Sequence, residues 1–357
     1  MINFLPEEIE YYSRQLLLPE WNERTQLKLK GSKVLVVGAG ALGCAVIQSM
    51  SRAGIGLIGI VDDDTVHFSN LQRQILFNTE DLGRKKPECV AEKIKIINPY
   101  IHTETYCHRI DDNNAESILC NYDIVVDGSD NFPTKYLLND VCNILKKPLV
   151  YAAIEAFQGQ VSVFHANENC PTYRCLFPEV PKENSDNCST IGVSPFLPQI
   201  IGGLQAAETI KLITGMGKPL VGELLIYHAE LSNFSVFKFN LNPENKKSRK
   251  KVGKLFGQDH PQVQALSLNK YQEDIENFFL VDVRPEDKYL NYNLGGVNIP
   301  LHELEESLLT LPSDKFLLTC CETGTNAKQA ALILSHHLKK PVFYLDHFLN
   351  SANNSLQ

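Results

Sequence analysis

One stretch near the N-terminus restricts the possible folds of this chain more than any other. Four aliphatic residues at positions 34–37 are followed by a glycine-rich turn and then by a run that suits a helix, Cys44 to Ala53, which ends at Gly54. The turn has the pattern G-x-G-x-x-G, with its glycines at Gly38, Gly40 and Gly43. A strand, such a turn and a helix form the first unit of a doubly wound parallel sheet. The chain is therefore predicted to be an α/β protein that binds a nucleotide, with the phosphates at the helix N-terminus.

An acidic residue after the second strand extends this prediction. The strand covers Leu57 to Val61 and runs into Asp62. Because Asp62 lies about 20 residues beyond the turn, its carboxylate can accept hydrogen bonds from a ribose. These features do not distinguish a site for a dinucleotide from a site for ATP.

Three polar residues further along the chain favour ATP. They are Asn70, Arg73 and Lys86. A nicotinamide cofactor has only a pyrophosphate and needs few cations, whereas an arginine and a lysine together suit a triphosphate, with Asn70 as a hydrogen-bonding companion. The sequence therefore predicts ATP rather than NAD.

The segment from Asp62 to Gln74 resembles the MoeB/ThiF family, the prokaryotic relatives of ubiquitin-activating enzymes. The family pattern is D-x-D-x-V-x-x-S-N-L-x-R-Q, and the resemblance covers residues 1–240. It implies a ubiquitin-activating-type adenylation domain that uses ATP and Mg²⁺ to adenylate the C-terminal glycine of a small ubiquitin-like sulfur carrier protein ending in Gly-Gly. The ATP-binding residues in this interpretation are Gly38, Gly40, Gly43, Asp62, Asn70, Arg73 and Lys86.

The N-terminal segment resembles the family opening R-Y-x-R-Q-x-x-L. Tyr11 replaces its first arginine, and Arg14 matches its second. The resemblance implies that Arg14 crosses the interface of a homodimer to the partner's ATP phosphates. The alternative is a solvated arginine on an N-terminal helix.

A further buried strand, Asp123 to Asp127, runs into a polar turn that contains Asp130. Because sites in open α/β sheets lie at the carboxyl ends of the strands, Asp127 and Asp130 are both expected to point toward the nucleotide. Asp130 matches the aspartate of the family motif C-T-D-N, which implies a ligand for Mg²⁺. The alternative for either residue is a helix cap.

The long polar loop of residues 166–194 holds two cysteines of interest. Many relatives carry C-x-x-C here and a second C-x-x-C near the end of the domain, which together bind zinc. In this chain Thr172 takes the first position before Cys175, and no cysteine occurs between Cys188 and Cys320, so no structural zinc is expected. Cys188 stands where some relatives link covalently to the carrier, although in MoeB-like members this cysteine is dispensable.

The C-terminal segment resembles a rhodanese domain. It contains D-V-R at Asp282, a G-G-V-N-I-P run, and a cysteine loop at Cys321 between a strand and a helix that extends to about Leu338. Helix N–H groups directed at the sulfur stabilise a thiolate or persulfide, so Cys321 is the expected sulfur carrier and Cys320 should pack on the opposite side. Asn326 and Ala327 replace the usual arginine and serine, which leaves a binding module as the alternative.

Composition limits the remaining possibilities. The formal net charge of −8 argues against nucleic acid or a membrane as the main partner, and the N-terminus lacks a signal peptide, so a cytoplasmic protein with reduced thiols is expected. The predicted domains are the adenylation domain (1–240), a basic linker (241–264) and a rhodanese-like domain (265–357).

The predicted function is adenylation of a sulfur carrier coupled to thiocarboxylate formation for the biosynthesis of molybdopterin or thiamine. A protein persulfide donor such as a cysteine desulfurase is expected to supply the sulfur. The alternatives are a tRNA-modifying dehydratase of the same superfamily, an adenylation domain joined to a non-catalytic docking module, and, with least support, an NAD-dependent oxidoreductase.

Overall fold

The computed structural model describes residues 4–178, 192–245 and 263–345, except residues 305, 306, 309, 310, 313, 314, 323 and 339. The chain divides into two compact units, Met1–Phe256 and Gly257–Gln357. Cys188, most of the basic linker and the segment that begins at Asp346 lie outside the described residues. The predicted ends of the domains and of the linker stay predictions.

The first unit is an eight-stranded sheet with helices on both faces. Its strands are β1 (Lys33–Val37), β2 (Leu57–Val61), β3 (His102–Tyr106), β4 (Ile124–Asp127), β5 (Leu149–Glu155), β6 (Gln158–Phe164), β7 (Glu223–His228) and β8 (Asn233–Lys238). Its helices are α1 (Pro6–Leu16), α2 (Glu23–Gly31), α3 (Ala41–Ala53), α4 (Lys86–Ile97), α5 (Ala115–Leu119), α6 (Phe132–Leu145), α7 (Tyr173–Leu176) and α8 (Leu197–Thr214).

The strand order is β3-β2-β1-β4-β5-β6-β7-β8. Strands β1 to β5 pair in parallel, and β5 to β8 pair antiparallel. Because the chain moves outward from β1 first toward β3 and then toward β5, the order reverses between β1 and β4. The predicted doubly wound sheet is confirmed, and its switch point lies at the carboxyl ends of these two strands.

Strand β1 shows why this segment folds as a central strand. Val34 and Val36 pack in the core formed with α3 and α4, while Leu35 and Val37 pack in the opposite core with α5 and α6. Aliphatic residues at every position are therefore buried, as a sheet covered on both faces requires. The following helix α3 ends at Gly54, whose φ of 89° forms a left-handed cap, as predicted.

One predicted turn is misplaced. The sequence from Pro148 to Phe164 predicts strands with a break at Gly159 and Gln160. In the structure β6 runs through both residues, and the hairpin turns at Ala156, which has a φ of 48°. A Cβ at position 159 would collide with Ile201 of α8. Gly159 is therefore needed for close helix packing on the sheet and does not mark a turn.

The second unit is a five-stranded parallel sheet in the order β11-β10-β12-β13-β9. Its elements are β9 (Val263–Leu266), α9 (Leu268–Glu273), β10 (Phe278–Asp282), α10 (Glu286–Asn291), β11 (Val297–Asn298), β12 (Phe316–Cys320), α11 (Thr325–Leu338) and β13 (Val342–Leu345). Strand β9 begins within the stretch predicted as linker, because it pairs with β13, a partner that the local sequence does not reveal. Within the described residues, no helix is both long and apolar enough to cross a membrane.

Candidate active sites

The glycine turn lies at the switch point and touches the turn after β4. Gly38 has a φ of 96°, and its N–H donates to the carbonyl of Val61 at 2.8 Å. A Cβ at Gly38 would come within 2.6 Å of the Gly128 carbonyl oxygen, and one at Gly43 would collide with the Gly38 carbonyl. The first and third glycines are thus required by the fold. Gly40 precedes α3, and a Cβ there would meet only Gln74 Nε2, at 3.9 Å.

These contacts predict opposite effects for two alanine substitutions. Gly38→Ala should lower the free energy of unfolding by about 1–3 kcal/mol, because alanine resists a positive φ and meets Gly128. Gly40→Ala should leave stability near the wild-type value and weaken ATP binding, because the second glycine allows the backbone to approach phosphate. Urea unfolding and nucleotide titration measure both quantities. Equal destabilisation by both substitutions would contradict this assignment.

Asp62 joins the glycine turn to the loop after β2. Its Oδ2 accepts a hydrogen bond from the N–H of Ala39 at 2.7 Å, and its Oδ1 accepts one from the N–H of Asp64 at 2.9 Å. Burial raises the pKa of the Asp62 carboxyl, and the charge of Lys86 and the two N–H donors only partly offset that effect. The carboxylate is therefore held beside the turn, where a ribose hydroxyl can approach it.

Lys86 is buried and is paired with an acid that the sequence reasoning missed. Its Nζ lies 2.5 Å from Asp64 Oδ2, and its backbone N–H donates to the Asp64 carbonyl at 3.2 Å. Burial alone would raise the pKa of the Asp64 carboxyl, but the hydrogen bond and charge of Lys86 outweigh burial and lower it. The D-x-D spacing of Asp62 and Asp64 was the available signal. The structure thus links the glycine turn, Asp62, Asp64 and Lys86 in one chain of hydrogen bonds.

Asn70 and Arg73 lie in the loop between β2 and α4. The Asn70 side chain is buried, and its Oδ1 accepts from the N–H of His67 at 3.1 Å. The Arg73 guanidinium donates to the Ser69 carbonyl at 3.0 Å, and Gln199 Nε2 of α8 donates to the Arg73 carbonyl at 3.2 Å. Asn70 therefore shapes the loop, and α8 fixes the backbone from which Arg73 extends.

The two aspartates after β4 have different environments. Asp127 is fully buried; its Oδ2 lies 3.0 Å from Lys135 Nζ, and its Oδ1 accepts from the N–H of Ser129 at 3.0 Å. The expectation that Asp127 points toward a nucleotide is therefore wrong, because its buried carboxylate binds Lys135 and Ser129. Sequence reasoning missed Lys135, whose ammonium group is also held by the carbonyls of Ser129 and Ala152.

Asp130, in contrast, is exposed, and from the described residues its Oδ1 accepts only a long hydrogen bond of 3.4 Å, from Asn131 Nδ2. Asn131 caps α6 by accepting from the N–H of Thr134, so the helix cap is not Asp130. The described residues contain no group of three or more acidic, histidine or cysteine side chains arranged to bind a metal. A single free carboxylate still fits Mg²⁺, which is commonly held by one or two carboxylates together with substrate phosphates.

Arg14 is not brought to this site within one chain, because the neighbouring Gln15 donates to the Ala53 carbonyl at the C-terminal end of α3, away from the glycine turn. It lies exposed in the last turn of α1 and makes no hydrogen bond or ion pair with the described residues. Leu5, Ile9 and Leu17, on or beside the same helix, are exposed apolar residues. Cys188 falls outside the described residues, so its predicted role stays a prediction.

The second unit places Cys321 between β12 and α11. Its Sγ is buried and accepts a hydrogen bond from the N–H of Ala327, in the first turn of α11, at 3.1 Å. Such a donor and the helix dipole favour a thiolate or persulfide. Cys320 packs in the core on the other face of the sheet, as predicted, where burial raises the pKa of its thiol.

A buried ion pair supports the loop beside Cys321. Arg284 Nη2 lies 2.6 Å from Asp282 Oδ2 and donates to the Tyr292 carbonyl at 2.6 Å. Asp282 ends β10, which pairs with β12 so that Asp282 lies opposite Cys320. The D-V-R motif therefore stabilises the edge of the sheet from which the cysteine loop begins.

Known protein families match the sequence of each unit. The sequence profile of the ThiF family matches residues 12–250, and that of the rhodanese-like domain matches residues 264–354. A sulfur carrier protein adenylyltransferase from Thermus thermophilus is 45% identical over 66% of this chain and 89% of its own length. The adenylyltransferase and sulfurtransferase MOCS3-1 of Zea mays is 34% identical over 92% of this chain and 78% of its own length.

Solved structures show the same fold. The crystal structure of Escherichia coli MccB with MccA-N7isoASN has a TM-score of 0.60 and 22% sequence identity, and the match covers 68% of this chain and 74% of that chain. At this identity the likeness is evidence for the fold alone.

Proposed function

Because the chain belongs to the ThiF family and carries a C-terminal rhodanese-like domain, we propose that it adenylates the C-terminus of a small sulfur carrier protein and then transfers sulfur to it. The predicted family is confirmed, and the chain is an adenylyltransferase with a sulfurtransferase domain, as are relatives that match most of its length. The carrier is proposed to be ubiquitin-like and to end in Gly-Gly. Molybdopterin or thiamine biosynthesis is the proposed destination of the sulfur.

One observation carries the first half of this proposal. The glycine turn, Asp62, Asp64 and Lys86 are joined by hydrogen bonds at the switch point of the sheet. The turn places backbone N–H groups and the α3 dipole at the phosphates, Asp62 faces the ribose, and Lys86 supplies buried positive charge. This arrangement suits a nucleoside triphosphate.

The adenylation step follows from this arrangement. A carboxylate oxygen of the carrier's last glycine attacks the α-phosphorus of ATP, an O–P bond forms, and the bond to pyrophosphate breaks. Negative charge increases on the phosphate oxygens and the leaving group, so Lys86 and Arg73 lower the barrier by stabilising that charge. No side chain needs to become covalently attached, and the protein acts by alignment and charge.

Asp130 is the proposed ligand for Mg²⁺, which when bound shields the charge of the phosphates. Asp130 follows the end of β4 at the same edge of the sheet as the glycine turn, since Gly38 lies against Gly128, and its side chain is exposed. Asn131, which caps α6, fixes the backbone at this point.

The second step uses Cys321. A persulfide on its sulfur attacks the acyl carbon, AMP leaves, and an acyl disulfide forms between carrier and protein. A small-molecule or protein thiolate then attacks the Cys321 sulfur, the S–S bond breaks, and the carrier leaves as its thiocarboxylate. The attacking thiol is left in a mixed disulfide with Cys321, and a second thiol reduces that disulfide and is itself oxidised. The persulfide is proposed to come from a protein donor such as a cysteine desulfurase, because Asn326 and Ala327 give the loop no cationic side chain for a small anionic donor. Mass spectrometry of the carrier after incubation with ATP and a persulfide donor detects the thiocarboxylate.

Lys86→Met should raise the KM for ATP about 10–100-fold and lower the rate of adenylation, because a buried phosphate-binding charge is lost. Lys85→Met is a matched control, since the neighbouring Lys85 ammonium contacts only the Asp63 carbonyl among the described residues. ATP titrations of both variants measure the difference. Similar kinetics for the two variants would show that Lys86 does not bind the phosphates.

We further propose that the enzyme works as a homodimer in the cytoplasm, with Arg14 reaching the partner's ATP. Two observations support this arrangement: Arg14 has no partner among the described residues, and exposed apolar residues lie on or beside α1. Mixing Arg14→Ala and Asp130→Ala subunits should then raise the activity above that of either variant alone, because some mixed dimers contain one intact site. An activity that does not rise after verified subunit exchange would contradict a role in trans.

A further inference from the structure

Two short turns of the first unit lie against each other. One is residues 172–175, closed by a hydrogen bond from the N–H of Cys175 to the Thr172 carbonyl at 2.9 Å. The other is residues 242–245, closed by the N–H of Asn245 and the Asn242 carbonyl at 3.1 Å. In each turn the two residues that face the other turn are three positions apart. We name these four residues, Thr172, Cys175, Asn242 and Asn245, the clasp.

The clasp is held by hydrogen bonds to side chains of the first turn. Cys175 Sγ accepts from the N–H of Asn242 at 3.3 Å and lies 3.7 Å from the Asn242 carbonyl, to which its thiol donates. Thr172 Oγ1 lies 3.3 Å from Cys175 Sγ and 3.5 Å from the Asn245 carbonyl. Thr172 is buried, and its hydroxyl donates to the Asn245 carbonyl, whereas either atom can be the donor in its contact with Cys175 Sγ.

The same four positions have the spacing of a metal site, because two i, i+3 pairs converge from separate turns. The family resemblance implies zinc held by two C-x-x-C pairs, one in this loop and one near the end of the domain. The residues present do not fit zinc, since a threonine hydroxyl and asparagine amides are poor ligands and only Cys175 supplies a thiol.

The neighbouring Cys170 does not complete such a site. Its thiol donates to the Val163 carbonyl at 3.7 Å, and burial raises its pKa. We propose that the clasp fastens residues 242–245 onto residues 172–175 by hydrogen bonds alone and that the enzyme therefore folds and works without zinc.

The metal content of the full-length protein tests whether the enzyme folds without zinc. Elemental analysis before and after dialysis against EDTA should find no stoichiometric zinc in either sample, and the dialysis should not change the Tm. Stoichiometric zinc whose removal lowers the Tm would overturn the proposal. The result is independent of the proposed activity, because no substrate is involved.

Substitutions test the hydrogen bonds. Thr172→Val and Cys175→Ala should each lower the Tm by about 2–4 °C, the shift expected when a hydrogen bond is lost from a domain of this size. Cys175→Ser should recover most of the loss, because a hydroxyl also donates and accepts. Cys120→Ala, at an exposed cysteine outside the clasp, is the control. Wild-type Tm values for both Thr172→Val and Cys175→Ala would overturn the clasp.

A designed metal site tests whether the four residues of the clasp lie close together. Thr172→Cys, Asn242→Cys and Asn245→Cys together with the native Cys175 should form a four-thiolate site that binds zinc and gives the absorption of tetrahedral cobalt thiolate. Adding Cys175→Ser should weaken both signals. A folded triple variant with no affinity for either metal would contradict the placement of the four residues.

Discussion

Replacing Asp130 with alanine should abolish adenylation and leave the fold intact. Its carboxylate is exposed at the end of β4 and makes one long contact with Asn131, so its removal leaves no buried group without a partner. The loss of the carboxylate that holds Mg²⁺ against the phosphates should reduce the rate of adenylation about 10²–10³-fold or more. Asp130→Asn, which keeps the shape of the side chain, should be similarly inactive.

Pyrophosphate exchange measures the loss of adenylation, and thermal unfolding measures whether the fold is intact. Glu116→Gln is a suitable control, because it removes the same charge from an exposed side chain of α5. Raising the Mg²⁺ concentration should rescue Asp130→Asn more than Asp130→Ala, since an amide oxygen remains a weak ligand. Normal turnover of Asp130→Ala at wild-type Mg²⁺ would remove the metal assignment.

Cys321→Ser should abolish thiocarboxylate formation and leave adenylation at the wild-type rate. A serine hydroxyl accepts the same hydrogen bond from Ala327 that the sulfur accepts, so the loop should keep its structure. It cannot carry a persulfide, so the loss of sulfur transfer should be complete. Mass spectrometry of the carrier separates the acyl-adenylate from the thiocarboxylate.

Cys320→Ala is the matched neighbour. Cys320 packs in the core on the opposite face, so its truncation should lower stability by about 1 kcal/mol and retain sulfur transfer. If Cys321→Ser still forms thiocarboxylate at the normal rate, Cys321 is not the sulfur carrier and the second unit acts as a docking module.

The parts of the fold that depend on neighbouring residues were predictable. An aliphatic strand, a glycine turn and an acid after the next strand determine β1, α3 and the position of Asp62, because strand burial and turn geometry are local requirements. The opposite faces of Cys320 and Cys321 followed from the alternation of side chains along a strand.

Features that depend on residues distant in the sequence were not predictable. Lys86 meets Asp64 only after the loop between them folds back, and Asp127 takes its charge partner from the next helix. Gly159 looked like a strand break because nothing nearby reveals that Ile201 of α8 packs over it. In each case the packing of another element decides the role of the residue.

The most direct test of the central claim is ATP–pyrophosphate exchange with purified full-length protein and a candidate carrier. We expect exchange with the intact Gly-Gly tail and none with a carrier that lacks this tail, because the carrier carboxylate is the nucleophile. Exchange that is equal with both carriers, or that is absent with every carrier while ATP binding is normal, would contradict adenylation of a sulfur carrier.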